Sequence, residues 1–359
     1  MNSDPVSQKI KVYLNSLIEQ NRFNLSFKLP SENQLAHLFK SSRTPVQHAL
    51  AELKEEGVIY RVHGKGTFVC NQPQSEDSFS VCLSIPHLNT RYIKKIAKGI
   101  QDYFNEKGVV LLISITNDDP ETEENVINYV LSNGFQGLIL YPIISDTYHD
   151  GLFKLALKKY PVVVVARQLP KINFSSVHSD NYGQLQNLTD YLVGKGHKYI
   201  GFIKESNMYE NSVYEDRERA YREYISQRFG EQSIHILEVN PIQENDDVFP
   251  NKWLDPLVAE FLVQNPDMTA IITMSVAAGA VFRLLKKRSE LENTISVAII
   301  DDPEDAESAL EYKNDVVVLD QNPYQIGWES ANQLYNQICH NALTQDIIIE
   351  NTIRVINAM

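Results

Sequence analysis

Two short stretches near the start of the chain carry side chains able to read a surface rich in acceptors. In Ser42-Arg43-Thr44-Pro45-Val46-Gln47 an arginine, two hydroxyls and a carboxamide crowd into one turn. Arg43 presents a planar fork of donors that fits a pair of acceptors such as those on a guanine edge, and Gln47 can match the donor and acceptor of an adenine. In Gly64-Lys65-Gly66 a cation stands between two residues without side chains, so the backbone can come close to a phosphate. Ser31-Glu32-Asn33 precede an apolar helical pattern, and the unpaired N–H groups at a helix start favour an anion. Nothing points to catalysis or to a metal. The nine His residues show no ligand spacing, and Cys70, Cys82 and Cys339 are too scattered for a zinc site or a disulfide framework.

These groups need elements to aim them. Val6, Ile10, Leu14, Leu17 and Ile18, with Tyr13, recur at three- and four-residue spacing and predict a first helix. Ser31 with Gln34 reads as a capping box opening a second helix that buries Leu35, Leu38 and Phe39. Thr44 is expected to cap a third helix, with Pro45 in its first turn, Gln47 at the box position and Gly57 ending it. Val46, Ala49, Leu50 and Leu53 face its core. Two short apolar strands, 58–62 and 67–70, then flank His63-Gly64-Lys65-Gly66 as a hairpin. Three helices and a hairpin describe a winged helix-turn-helix. The charge agrees. Residues 1–70 carry a net charge of +3, whereas the rest of the 359-residue chain carries −16. A basic head on an acidic body is the distribution expected if only the head meets phosphates.

The stretch LPSENQLAHLFKSSRTPVQHALAELKEEGVIYRVHGKGTFV resembles the GntR family of bacterial regulators almost end to end. The likeness rests on Pro-Ser-Glu before the second helix, Ser-Arg-Thr-Pro-Val opening the third, Ala-Leu-x-x-Leu-x-x-x-Gly closing it, and Gly-x-Gly-Thr-Phe-Val on the wing. It implies that the third helix enters the major groove and that Ser31, Glu32, Asn33, Ser42, Arg43, Thr44, Gln47, Gly64, Lys65 and Gly66 meet DNA. Asn33 and Gln47 stand where the family commonly has arginine. Two lost cations should flatten the salt dependence.

Residues 72–79 are polar, lack periodicity and read as a linker between a head of residues 1–71 and a body of residues 80–359. In the body, apolar runs at 81–85, 109–115, 137–140, 162–166, 199–203, 234–239, 270–273 and 297–300 alternate with amphipathic segments such as 93–106 and 123–131. Strand–helix alternation means parallel sheets with right-handed crossovers, and the length suits two lobes. The longest apolar run is far short of a membrane span, and the first residues are polar with no secretory pattern, so a cytoplasmic location is expected.

The body resembles the sensor domain of the lactose- and ribose-repressor family, which shares its fold with type I periplasmic sugar-binding proteins. Val177-His178-Ser179-Asp180-Asn181-Tyr182-Gly183, Gly196-His197-Lys198-Tyr199-Ile200-Gly201-Phe202, Arg217-Glu218-Arg219-Ala220-Tyr221, Asp301-Asp302 and Leu319-Asp320-Gln321 carry the likeness. Joined to the GntR-like head, it resembles the arabinose-repressor subgroup. The expected fold class is therefore α/β: a winged helix-turn-helix followed by a two-lobed, parallel-sheet domain like the periplasmic binding proteins. The resemblance places a ligand between the lobes and implies that Arg167, Arg217 and Asp301 contact it, with Tyr92, Asn117 and Gln321 at cleft positions. An Asn-Asp common after the strand at 270–273 is replaced by Met274-Ser275-Val276, leaving Ser275 as the stand-in. Asp180 reads better as a helix cap, and Trp253 and Trp328 as core.

The expected partners are operator double-stranded DNA, a small effector that is a monosaccharide (a pentose or deoxyhexose by resemblance) and a second copy of the chain. No cofactor, membrane or catalytic activity is expected. The rival expectation is a regulator fused to a pyridoxal-phosphate enzyme-like body, to which no extended match is found.

Overall fold

A computed structural model describes residues 5–20, 27–56, 58–62, 66–69, 79–143, 148–169, 171–206, 212–239, 253–287, 294–303 and 309–356. The linker, Gly57 and the wing-tip residues His63, Gly64 and Lys65 lie outside the described residues, apart from Phe79 at the linker's end.

In the head, α1 (Pro5–Gln20) buries Ile10, Leu14 and Ile18, a stripe at four-residue spacing. Helix α2 (Glu32–Leu38) starts at a closed capping box. The Ser31 hydroxyl accepts from the Gln34 backbone, and the Ser31 N–H donates to Gln34 Oε1 at 2.8 Å. Leu35 is buried and Phe39 meets the Tyr13 ring edge-on at 5.4 Å, but Leu38 is 55 % exposed, against expectation. The helix has only seven residues, and the i,i+4 pair Leu35–Phe39 sets its inner face, leaving Leu38 at the edge.

Helix α3 (Arg43–Glu55) buries Val46, Ala49 and Leu53. Its N-cap is the extended residue Ser42, not Thr44, which corrects the expected start. Arg43 and Thr44 are already helical, so Pro45 falls at the third helical position, where its missing N–H is still one of the orphans, and no box to Gln47 can form. Strands β1 (Ile59–Val62) and β2 (Gly66–Val69) pair antiparallel from Ile59↔Val69 to Val62↔Gly66. The second starts one residue earlier than expected, at Gly66, whose φ of 130° a side chain would resist.

The body opens with β3 (Ser80–Ile85), α4 (Arg91–Glu106), β4 (Val110–Ile115), α5 (Pro120–Ser132), β5 (Gly137–Leu140), α6 (Asp150–Leu157), β6 (Val162–Val165) and β7 (Ser175–Ser179). It continues through α7 (Asn181–Gly194), β8 (Ile200–Glu205), α8 (Ser212–Phe229), β9 (His235–Val239), α9 (Leu254–Gln264), β10 (Ala270–Met274), α10 (Ser275–Lys287), β11 (Ser296–Ile300) and β12 (Val316–Asp320). It closes with α11 (Pro323–His340), β13 (Asp346–Ile349) and β14 (Thr352–Ile356). Asp180 caps α7, its carboxylate accepting from Gly183 N–H at 2.9 Å. Trp253 and Trp328 pack, partly buried, against the two lobes' cores.

Two six-stranded sheets result, ordered β13-β7-β6-β5-β3-β4 and β14-β12-β11-β10-β8-β9. All the pairings are parallel except β12 with β14. The central strands β5 and β6 are buried at every position, as a parallel sheet covered on both faces requires. The chain passes between the N lobe and the C lobe three times, after β7, after β12 and between β13 and β14. These crossings form the hinge. No described helix is long and apolar enough to cross a membrane.

Helix α11 returns to the N lobe and lies directly on α4. A Cβ on Gly327 would sit 2.1 Å from the Ile96 carbonyl oxygen, and one on Gly99 would sit 2.1 Å from that of Tyr324. Backbone meets backbone here, so neither neighbour can turn aside. Gly327→Ala should therefore destabilise the body by about 1–3 kcal/mol, the usual range for overpacking. Urea unfolding followed by circular dichroism would measure it, and an unchanged midpoint would show that the helices are not in contact at this point.

Candidate nucleic-acid interface and ligand cleft

The head presents its polar residues on one exposed surface. Ser42, Arg43, Thr44, Gln47, Ser31 and Asn33 are all exposed, at the N-terminal ends of α2 and α3. Arg43 has no ion pair among the described residues, so its guanidinium is available. The Ser31 hydroxyl is already used inside the helix cap. Glu32 behaves differently from a phosphate contact. Its carboxylate accepts from Gln47 Nε2 at 3.0 Å and from Arg61 Nη1 at 3.0 Å. It thus ties the third helix to the first strand of the wing, and presents Arg61 as a further exposed cation beside them. Sequence reasoning missed Arg61. The clue was a cation on the strand entering the wing. Of the wing residues, Gly64 and Lys65 lie outside the described residues, and Gly66 begins β2.

In the body, the C-terminal ends of the strands of both sheets converge, as open parallel sheets arrange their binding crevices. The N lobe contributes Tyr92 from the first turn of α4, Tyr141 after β5 and Arg167 after β6. The C lobe contributes Arg217 from α8, Asp301 after β11 and Gln321 after β12. Arg217 is 5 % exposed, and its Nη2 donates to Gln321 Oε1 at 3.1 Å while Nη1 points at the Met274 sulfur at 3.5 Å. Gln321 in turn donates through Nε2 to Asp301. Tyr92 lies within electrostatic reach of Tyr141 on its own lobe and, across the cleft, of Asp301 and Arg217.

Three sites are left with bonding capacity. Arg167 Nε and Nη2 and Asp301 Oδ1 are buried without a hydrogen-bond partner among the described residues. Burial pushes the Asp301 carboxyl up to about 7, outweighing Arg217 and Gln321, which favour its charged form. Burial likewise lowers the Arg167 guanidinium, against the pull of Tyr141, Glu123 and Asp118. The backbone is left-handed at Asn117, Asp118, Ala166 and Asp301, all immediately after strands β4, β6 and β11, so the strain collects around this crevice.

The structure does not bring every expected residue into this group. Asn117 is exposed in its left-handed turn, and its neighbour Asp118 is the residue facing Arg167 and His87. Ser275 opens α10 directly after β10, with no side-chain hydrogen bond among the described residues. Conversely, Tyr141, Asp118, Glu123, Glu205 and Tyr214 belong to the cleft and were not singled out. The usable signal was position: Tyr141, Asp118 and Glu205 fall at or within three residues of a strand's C-terminal end. Glu123 is fully buried and accepts from the Ile143 N–H at 2.9 Å and from His149 Nε2 at 2.8 Å, so it fixes the segment after β5. A separate cavity of about 440 Å³ lies at the opposite, N-terminal ends of the C-lobe strands, lined by Lys198, Tyr199, His235 and Asp267 among others, and gathers none of these groups.

Beside Asp301, Asp302 reaches across to the other lobe. It pairs with Lys95 of α4 and with Arg354 of β14. Burial alone would raise its carboxyl, but Lys95, Arg354 and Arg91 hold it below the usual range. Among the described residues, no group of His, Cys, Asp and Glu is placed to hold a metal.

The raised Asp301 carboxyl has a defined sign in stability. Between its ordinary value of 3.8 and about 7, the folded chain holds a proton that the unfolded chain releases, so this group makes stability fall as pH rises through that window. Asp301→Asn removes the effect. Its melting temperature should exceed the wild type's by more at pH 8 than at pH 5. Thermal melts at the two pH values would check this; an equal difference at both would mean that the carboxylate is not held in a low-dielectric site.

Comparison with known proteins agrees with both halves. Residues 6–69 match the family of bacterial regulatory proteins, gntR family, and residues 78–357 match periplasmic binding proteins and the sugar binding domain of the LacI family. The arabinose metabolism transcriptional repressor of Geobacillus stearothermophilus is 28% identical over 210 residues, 57% of this chain and 58% of that protein. Its namesake from Halalkalibacterium halodurans is 26% identical over 191 residues, 50% of this chain and 51% of its own length. The matches thus span little more than half of these curated relatives. Among solved structures, the Cra transcriptional dual regulator of Pseudomonas putida, in complex with fructose 1-phosphate, superposes with a TM-score of 0.64 over 78% of this chain and 99% of its own, at 19% identity, a likeness of fold alone. A pyridoxal-phosphate enzyme-like body is thereby replaced by a sensor fold. With the match to the second family covering most of its length, the chain belongs to the periplasmic binding proteins and sugar-binding domains of the LacI family, here carrying a gntR-type helix-turn-helix head.

Proposed function

We propose that this chain is a sequence-specific DNA-binding repressor of a carbohydrate-use operon, released from its operator by a neutral monosaccharide bound between the lobes. The observation that carries the effector half is the set of buried, partnerless atoms in the cleft: two donors on Arg167 and an acceptor on Asp301. A hydroxyl both donates and accepts, so a polyol answers both kinds of atom. Tyr92, Tyr141 and Tyr214 supply aromatic faces for the apolar side of a sugar ring.

Charge favours an uncharged ligand. Arg167 faces Asp118 and Glu123, and Arg217 faces Glu205 and Asp301, so each lobe sets one guanidinium between two carboxylates. A phosphate or carboxylate on the ligand would have to share each guanidinium with these acidic groups. The curated relatives named for arabinose metabolism support a pentose.

Dimerisation supplies the two heads that a pseudo-palindromic operator requires. It is supported by β4, the edge strand of the N-lobe sheet, which exposes Val110, Leu112, Ile113 and Ile115 on both faces. An unpaired apolar edge is a hazard in a lone chain and is covered in a dimer. Ligand closing the lobes about the hinge, with the Lys95–Asp302 bridge drawn in, would select the dimer geometry that fits the operator less well. A DNA target supports a cytoplasmic location.

Arg43→Ala should weaken binding to a duplex from the chain's own promoter region by about 5- to 150-fold at fixed salt, as expected for losing one bidentate base contact of roughly 1–3 kcal/mol. Fluorescence anisotropy would read it, and an unchanged affinity would remove α3 from the major groove. In the same assay, adding pentoses and 6-deoxyhexoses should release the duplex from wild-type protein. Release by none of them, at any concentration up to tens of millimolar, would end the sugar-sensor reading.

A further inference from the structure

The C-lobe wall holds a second carboxylate that family likeness did not single out. Strand β8 ends in Glu205, which stands partly exposed at the crevice. One of its oxygens accepts the Tyr214 hydroxyl at 2.5 Å, and the other has no hydrogen bond among the described residues. Tyr214, in the first turn of α8, is within electrostatic reach of Arg217 on its own lobe and of Tyr141 and Arg167 on the other. The pair therefore sits where the two lobes face each other.

Sheet order gives the spacing. Strands β11, β10 and β8 are consecutive neighbours, so Asp301 leaves one strand, Met274 ends the next and Glu205 ends the third. Two inter-strand steps separate the two carboxylates' strands by about 10 Å, at roughly 4.8 Å per step. Arg217 lies between them, pointing at Met274 on the middle strand and within reach of both acids. That span matches a single sugar ring with a hydroxyl at each edge.

The geometry points to Glu205 as a specificity-determining residue of the cleft: aimed by Tyr214, its open oxygen accepts a hydroxyl on the ring edge opposite the one that Asp301 holds. This rests on the neutral-monosaccharide reading and deepens it. A carboxylate that is buried by the closing lobes and then offered no hydroxyl is left uncompensated, so the site rejects a sugar lacking that hydroxyl far more strongly than an apolar wall would. Burial raises the Glu205 carboxyl, outweighing the bond from Tyr214 and the charge of Arg217. Tyr214 is a positioning residue: it holds one oxygen and leaves the other without a hydrogen bond among the described residues.

The test is calorimetric titration of the full-length protein with L-arabinose, D-xylose, D-ribose, L-fucose, L-rhamnose and D-galactose, and with deoxy analogues of whichever binds. The proteins are wild type, Glu205→Gln and Tyr214→Phe. Glu205→Gln should weaken the preferred sugar by about 10- to 100-fold and shrink the ratio between that sugar and its matching deoxy analogue. Tyr214→Phe should shift both in the same direction by less. A thermal melt followed by circular dichroism that matches the wild type's shows that each variant's body is folded. Wild-type affinity and wild-type discrimination in a folded Glu205→Gln protein would overturn the role of Glu205 while leaving the sugar reading intact. Failure of the wild type to bind every sugar would overturn both.

Discussion

A guanidinium buried beneath the cleft constrains everything around it. Arg217 cannot be left alone at 5 % exposure, because an unpaired buried charge is far more costly than a paired one. Its partners are a carboxamide, a thioether and carboxylates that burial tends to protonate. Gln321 matters most among them. It holds Arg217 with its oxygen and Asp301 with its nitrogen, and its backbone carbonyl accepts from Ser179 Oγ at 3.5 Å. Gln321 and Ser179 stand on two different crossings between the lobes, so the charge network of the cleft is anchored in the segments that join them. A group that enters the cleft cannot rearrange these partners without loading the hinge.

Much of the fold was legible because its causes are local. The Ser31–Gln34 box involves four residues, and the strand–helix rhythm of the body is written in runs of four to six apolar residues. Errors arose where a local rule had two solutions. Thr44 and Ser42 are both good caps, and only the packing of Val46, Ala49 and Leu53 decides that the helix starts at Arg43. Leu38 is as apolar as Leu35, but a seven-residue helix has one inner face. The lobe to which each strand belongs was not readable, since β13 pairs with β7 and β14 with β12 across more than thirty residues in the second case and far more in the first.

The cleft was half legible for a related reason. Arg167, Arg217, Asp301 and Gln321 lie in segments resembling a known family, and the structure gathers them. Glu205, Tyr214 and Asp118 have no motif to mark them. Each looks like an ordinary polar residue closing or following an apolar run, and only the convergence of strand ends gives them a common destination. In the head, Glu32 illustrates the opposite case: a residue inside a strong motif, whose carboxylate is taken up by Gln47 and Arg61.

The path of α11 also bears on how the molecule is made. The N-lobe core includes Ile326, Ala331, Leu334 and Ile338, all from this late helix, pressed against α4 at the Gly99–Gly327 crossing. During translation α4 emerges early and must wait, its apolar face uncovered, while nearly the whole C lobe is synthesised. The last segments, β13 and β14, then complete one lobe each. A nascent chain stopped after the head but before β13 therefore holds a finished head and two unfinished lobes.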